Sequence, residues 1–131
     1  MNNLYKLGRA LFFMAGAQFI IGMILAEALY PGYSTSINTI SDLGATCKSN
    51  CIIHQPSSII FNSSVFLLGG LAFVGSYIIY RHRHILPIIF MMIASLGAMG
   101  VGIFPETTRF LHIIVAGISF FLYRSCSNYI I

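Results

Sequence analysis

The chain contains no tryptophan, and its acidic residues number three in 131: Glu27, Asp42 and Glu106. Charged residues make up 8% of it, against about 25% in an ordinary soluble domain. So little charge excludes a solvated globular surface. The seven Lys and Arg stand singly or flank apolar blocks. They form no basic helical face with an aromatic platform, so a nucleic-acid partner is not expected. Also missing are a nucleophile motif, a Gly-rich phosphate loop and an H-E-x-x-H signature. There is no internal repeat, low-complexity tail or transmembrane β-barrel alternation. What remains, with 57% hydrophobic residues, is the composition of an integral protein of the cell membrane.

Long apolar runs are what the sequence has in plenty. Four blocks, 10–29, 58–80, 85–104 and 110–129, have the length of about 20 residues that crosses a hydrocarbon core as a helix. They predict an all-α polytopic fold. Residues 1–131 would form a single transmembrane domain, a four-transmembrane-helix bundle with a long first loop at 30–57. The connection Arg81-His82-Arg83-His84 is short enough to make helices two and three antiparallel neighbours. Lys6 and Arg9, the first apolar run and Ala26-Glu27-Ala28 imitate a secretory signal. The run exceeds the usual core of about 7 to 15 residues, so a retained helix is expected.

Basic residues favour the cytoplasmic side. Lys6, Arg9, Arg81, Arg83 and Arg124 fall on one side, and Lys48 and Arg109 on the other. Both termini are therefore expected in the cytoplasm. The first loop, with all three acidic residues on or near its face, would be extracytoplasmic.

That loop is the one long polar stretch. Pro31 and Gly32 end the first helix, one by removing a donor and the other by admitting positive φ. Tyr30 and Tyr33 suit anchoring at head-group level. Ser34 or Ser36 can cap a short helix that Gly44 closes, with Ile37, Ile40 and Leu43 on one side. Asn38, Ser41 and Asp42, at i, i+3 and i+4, would share another face. Cys47 and Cys51 are a disulfide candidate in an exported loop. Cys126 reads as a packing residue.

In the second polar stretch, Gly102 to His112, Pro105 stops helix three and Glu106 or a threonine can cap helix four. Arg109 and His112, at i and i+3, share a face. A charged side chain in lipid is costly, so both should point inward or toward a carboxylate. Topology brings Asn38, Ser41, Asp42, Glu106, Arg109 and His112 to one face of the membrane unit. The set suits an ion-pair latch, a site for a lipid head group or ion, or acid/base chemistry. For a metal, His112 is a weak candidate; a haem would require His112 and His54, and the sequence leaves the cofactor unknown. His82 and His84 could chelate a metal only with ligands from elsewhere. Ala94, Ala98 and Gly102 repeat every four residues opposite Ala72 and Ser76, a spacing that lets helices approach closely.

The segments Tyr30-Pro31-Gly32-Tyr33, Asn38 to Gly44 as N-x-I-S-D-L-G, and Gly102-Ile103-Phe104-Pro105-Glu106 with a following His resemble DUF998. This is a family of prokaryotic multispanning membrane proteins of undefined function. The likeness covers roughly 11–121. It implies that the first loop and the Phe104-Pro105-Glu106 turn belong together, and it implies no activity. Members usually run to about six spans and are not associated with the cysteine pair, so the resemblance marks this chain as a short, four-span variant. The expected function is a structural or binding unit among membrane lipids. It would be a homo-oligomer or a small subunit of a membrane complex. The alternative is a small membrane enzyme acting on a lipid or other amphiphile through His112 with Asp42 or Glu106.

Overall fold

In a bilayer the backbone must satisfy its own hydrogen bonds, so the long apolar runs fold as helices. The computed structural model describes residues 3–47, 50–80 and 85–127. Outside them lie Lys48, the connection Arg81, His82, Arg83 and His84, and the last residues of the fourth block. The packing of Cys126 is likewise outside the description. Four α-helices form: α1 (Asn3–Leu29), α2 (Ser57–Tyr80), α3 (Ile85–Ile103) and α4 (Phe110–Ser127). α1 begins seven residues before the expected start, because the stretch carrying Lys6 and Arg9 continues the same helix. Gly32, at φ 73°, makes the turn after α1. α3 stops before Pro105, which stands in an extended conformation.

α1, α2 and α3 are long and apolar enough to cross a membrane. The apolar stretch of α4 is shorter, Phe110–Leu122, and Arg124 lies in its last turn. Neighbouring helices pack in chain order, α1 on α2, α2 on α3 and α3 on α4. Among the described residues no seam of that kind joins α4 to α1, so the four helices form an open row.

Close approach in this row depends on missing side chains. A Cβ on Gly22 of α1 would fall on the Ser64 hydroxyl of α2, and one on Gly69 would meet the Ser95 carbonyl and Met99 of α3. Ala94 and Ser76, both expected at tight contacts, are buried. The main cluster of buried side chains, Ala26, Tyr30, Leu43, Phe61 and Val65, sits at the loop end, with Phe19, Met23 and Val101 against it. Outward side chains such as Phe13, Ile21 and Phe120 are exposed, as lipid-facing residues should be.

The first loop departs from the expected helix. Ser34 to Asn38 forms one turn, with Asn38 N donating to Ser34 O, and Ile40–Leu43 forms a separate 3-10 turn. Thr39 between them is extended, at φ −84° and ψ 161°. That break separates the two turns, and the apolar face does not form. Ile37 is 71% exposed while Leu43 is 1% exposed. Beyond the turn, β1 (Thr46–Cys47) pairs antiparallel with β2 (Cys51–Ile52) in a two-strand clip. Tyr30 is a further difference: it belongs to the buried cluster rather than to an exposed anchor.

Candidate polar site at the loop end

Asp42, which sequence spacing places on a surface face, is 4% exposed. Its Oδ2 accepts from Thr39 N at 2.8 Å and from Asn38 Nδ2 at 3.2 Å. Asn38 Oδ1 in turn accepts from Ser34 N at 3.3 Å. The carboxylate thus replaces backbone partners that the 3-10 turn cannot supply to its own first amides. Ser41 shares a hydrogen bond with the Thr39 hydroxyl at 3.0 Å. Nearby, Tyr33 donates its hydroxyl to Thr39 O at 3.2 Å. Burial, then the carboxylates of Glu27 and Asp42, then Tyr30, raise the Tyr33 phenol above its ordinary value of 10.0.

The clip ties this turn to the helices. Thr46 donates its hydroxyl to Asp42 O at 3.2 Å, and Thr46 Oγ1 in turn shares a hydrogen bond with the Tyr30 hydroxyl at 2.6 Å. The Tyr30 ring lies 4.4 Å from that of His54 and 5.5 Å from that of Tyr33, centroid to centroid. Cys47 and Cys51 are joined in a disulfide across the clip, with Cα atoms 4.2 Å apart. From α2, Ser57 and Ser58 donate to the carbonyls of Leu43 and Gly44. Gly44 accepts this contact in a right-handed conformation, and a Cβ there would sit against Asn62 Oδ1.

The second polar stretch meets the first at the clip. Glu106–Thr108 forms a 3-10 turn packed on β1. Arg109 Nη2 donates to Cys47 O at 3.4 Å, across 62 residues of sequence. His112 Nδ1 bonds Phe104 O at 2.8 Å, closing the α3–α4 turn on itself. Glu106 Oε2 is buried and accepts no hydrogen bond from any described residue.

The six expected residues therefore fall into two groups of three, Asn38, Ser41 and Asp42 in the loop and Glu106, Arg109 and His112 at the α4 entry. Among the described residues no side-chain hydrogen bond joins the groups directly; Thr46 and Cys47 carry the link through the backbone. No group of three or more His, Cys, Asp or Glu suited to a metal occurs among the described residues. Sequence reading missed Thr39, Thr46, Ser57 and Ser58. Ser57 and Ser58 carried a signal: two adjacent serines at the first turn of an apolar helix have donors to spend on a neighbouring segment.

Apolar helices of membrane-crossing length, with a polar loop end folded onto them, define a polytopic membrane protein. Residues 13–123 match the family described as protein of unknown function (DUF998), and the chain belongs to that family. No curated protein and no solved structure matches the chain significantly.

Proposed function

We propose that the protein is a structural and binding unit of the cell membrane, with both termini cytoplasmic and the loop end outside. It spans four times, the fourth through α4, and works self-associated or as a small subunit of a membrane complex. Its polar loop end holds the helices in register and offers one place for a lipid head group or ion. The observation that carries this reading is how the polar groups are used. Asp42 is committed to Thr39 and Asn38, Arg109 to Cys47 and His112 Nδ1 to Phe104.

Bonds of this kind fix a backbone; the Nδ1 contact orients the His112 ring and leaves Nε2 without a carboxylate partner among the hydrogen bonds of the described residues. Glu106 differs, since a buried carboxylate oxygen without a donor is an open position for one from outside the chain. The enzyme alternative needs His112 paired with Asp42 or Glu106, and the hydrogen bonds of His112 Nδ1 and of Asp42 go elsewhere.

The test compares Glu106→Gln and Arg109→Gln in a bilayer mimetic, reading thermal stability together with bound lipid and metal. A binding position at Glu106 predicts that Glu106→Gln loses a bound ion or head group at nearly unchanged stability. Arg109→Gln should lower stability instead. Turnover of an amphiphile abolished by His112→Ala would overturn the reading.

A further inference from the structure

α2 extends beyond α3 at the loop end. Gly102 brings α3 into close contact at Asn62 and Phe66. After Ile103 the chain swings away to pack its next turn on β1. The α2 face from Ser58 to Leu67 is left as the floor of a groove of about 480 Å³. Its apolar walls include Ile59, Phe66, Leu67 and Ile103, all exposed, and its polar lining is Gln55, Ser58, Asn62 and Ser63. No charged residue lines it.

The polar lining has spare donors. Ser58 gives its hydroxyl to Gly44 O, and Asn62 Nδ2 donates to Ser58 Oγ at 3.2 Å, which holds the amide in place with a second N–H left over. Ser64, Ser76, Ser95 and Ser125 each return their hydroxyl to the carbonyl four residues back. The Ser63 hydroxyl makes no hydrogen bond with a described residue, and the side chain is exposed in the groove. It lies six residues into α2, roughly 9 Å along the helix axis from Ser57. On a face turned toward lipid, a hydroxyl left without a partner is unfavourable.

We infer that this groove binds one diacyl glycerolipid of the surrounding bilayer. An ester carbonyl of the lipid accepts from Ser63 Oγ and from the free N–H of Asn62, and one acyl chain runs along Phe66, Leu67 and Ile103. The lining suits such a molecule, with Gln55, Ser58, Asn62 and Ser63 interleaved with Ile53 and Ile59 toward the loop and only hydrocarbon beyond, at Phe66 and Leu67. With no charge in the lining, the ester linkage is what is recognised, and the charge of the head group is not. The inference is independent of any ligand at Glu106, which is not among the lining residues.

The test reconstitutes the full chain in nanodiscs with equal amounts of a diester phosphatidylcholine and its diether analogue, then identifies the retained lipid by native mass spectrometry. The diester should be retained about tenfold over the diether, as two lost hydrogen bonds imply. Ser63→Ala should reduce that preference, and Ser63→Trp, which fills the groove from an exposed position, should abolish retention. Phe120→Trp, on the exposed side of α4, should leave it unchanged. Replacing the diester phosphatidylcholine by an anionic diester phosphatidylglycerol should not alter retention either. Equal retention of ester and ether lipids, or retention unaffected by Ser63→Trp, would overturn the inference. A wild-type dimer broken by Ser63→Trp would also overturn it, assigning the groove to a second copy.

Discussion

At Asp42 a buried carboxylate takes the place of missing backbone partners, accepting from Thr39 N and Asn38 Nδ2. Asp42→Ala would take the acceptor from the Thr39 amide and from half-buried Asn38, at a cost of about 1 kcal/mol. Asp42→Asn keeps an acceptor and should cost less; thermal unfolding in a bilayer mimetic orders the two. Tyr33 gives a pH-dependent readout in the same turn. Its folded-state value is raised, by burial first and then by Glu27, Asp42 and Tyr30. The native state therefore holds the proton longer than the unfolded chain. Its contribution to stability is whole below about pH 10 and is lost as pH climbs through the raised folded value. A phenolate absorbance titration of the wild type minus Tyr33→Phe should show a step above that of free tyrosine. A step at or below it would contradict the packing of this turn.

Among the elements, the α1–α2 seam is set by Gly22 against Ser64. Gly22→Ala should separate the helices and cost about 1–3 kcal/mol, the usual range for overpacking. Adding Ser64→Gly makes room for the new methyl group and should recover part of the loss, so the double variant tests contact rather than helix propensity. The clip is the second such element. Replacing Cys51 by Ser opens a five-residue ring, with an expected cost of about 2 kcal/mol. Because Cys47 O also receives Arg109, hydrogen exchange should rise at the start of α4 as well as in the clip.

Legibility in the sequence follows the range of the forces. Apolar runs are dictated by the bilayer alone, and the helix bounds came within a residue of expectation, apart from the start of α1 and the end of α4, where the expected last residues lie outside the described ones. Gly32 and Pro105 act through their own dihedrals, and both were readable. The loop helix was not, because i, i+3, i+4 spacing at Asn38, Ser41 and Asp42 also occurs where an extended residue, here Thr39, interrupts the turns. Bonds such as Arg109 to Cys47 depend on which backbone carbonyl a fold brings near. No residue pattern encodes that.

Over the whole molecule, the helices stand in an open row and much of α1 and α4 is exposed apolar surface. The polar loop end ties α1, α2 and α4 together through Tyr30, Ser58 and Arg109. This arrangement stabilises a unit that offers long apolar flanks to lipid or to other chains. The central claim, a structural and binding unit in place of an enzyme, is tested most directly by native mass spectrometry of the chain extracted gently from its own membrane, with lipid and metal measured on the same sample. The account predicts a self-assembly or a stoichiometric membrane partner, with a lipid or ion retained. A bare monomer, without partner, lipid or ion, would contradict it.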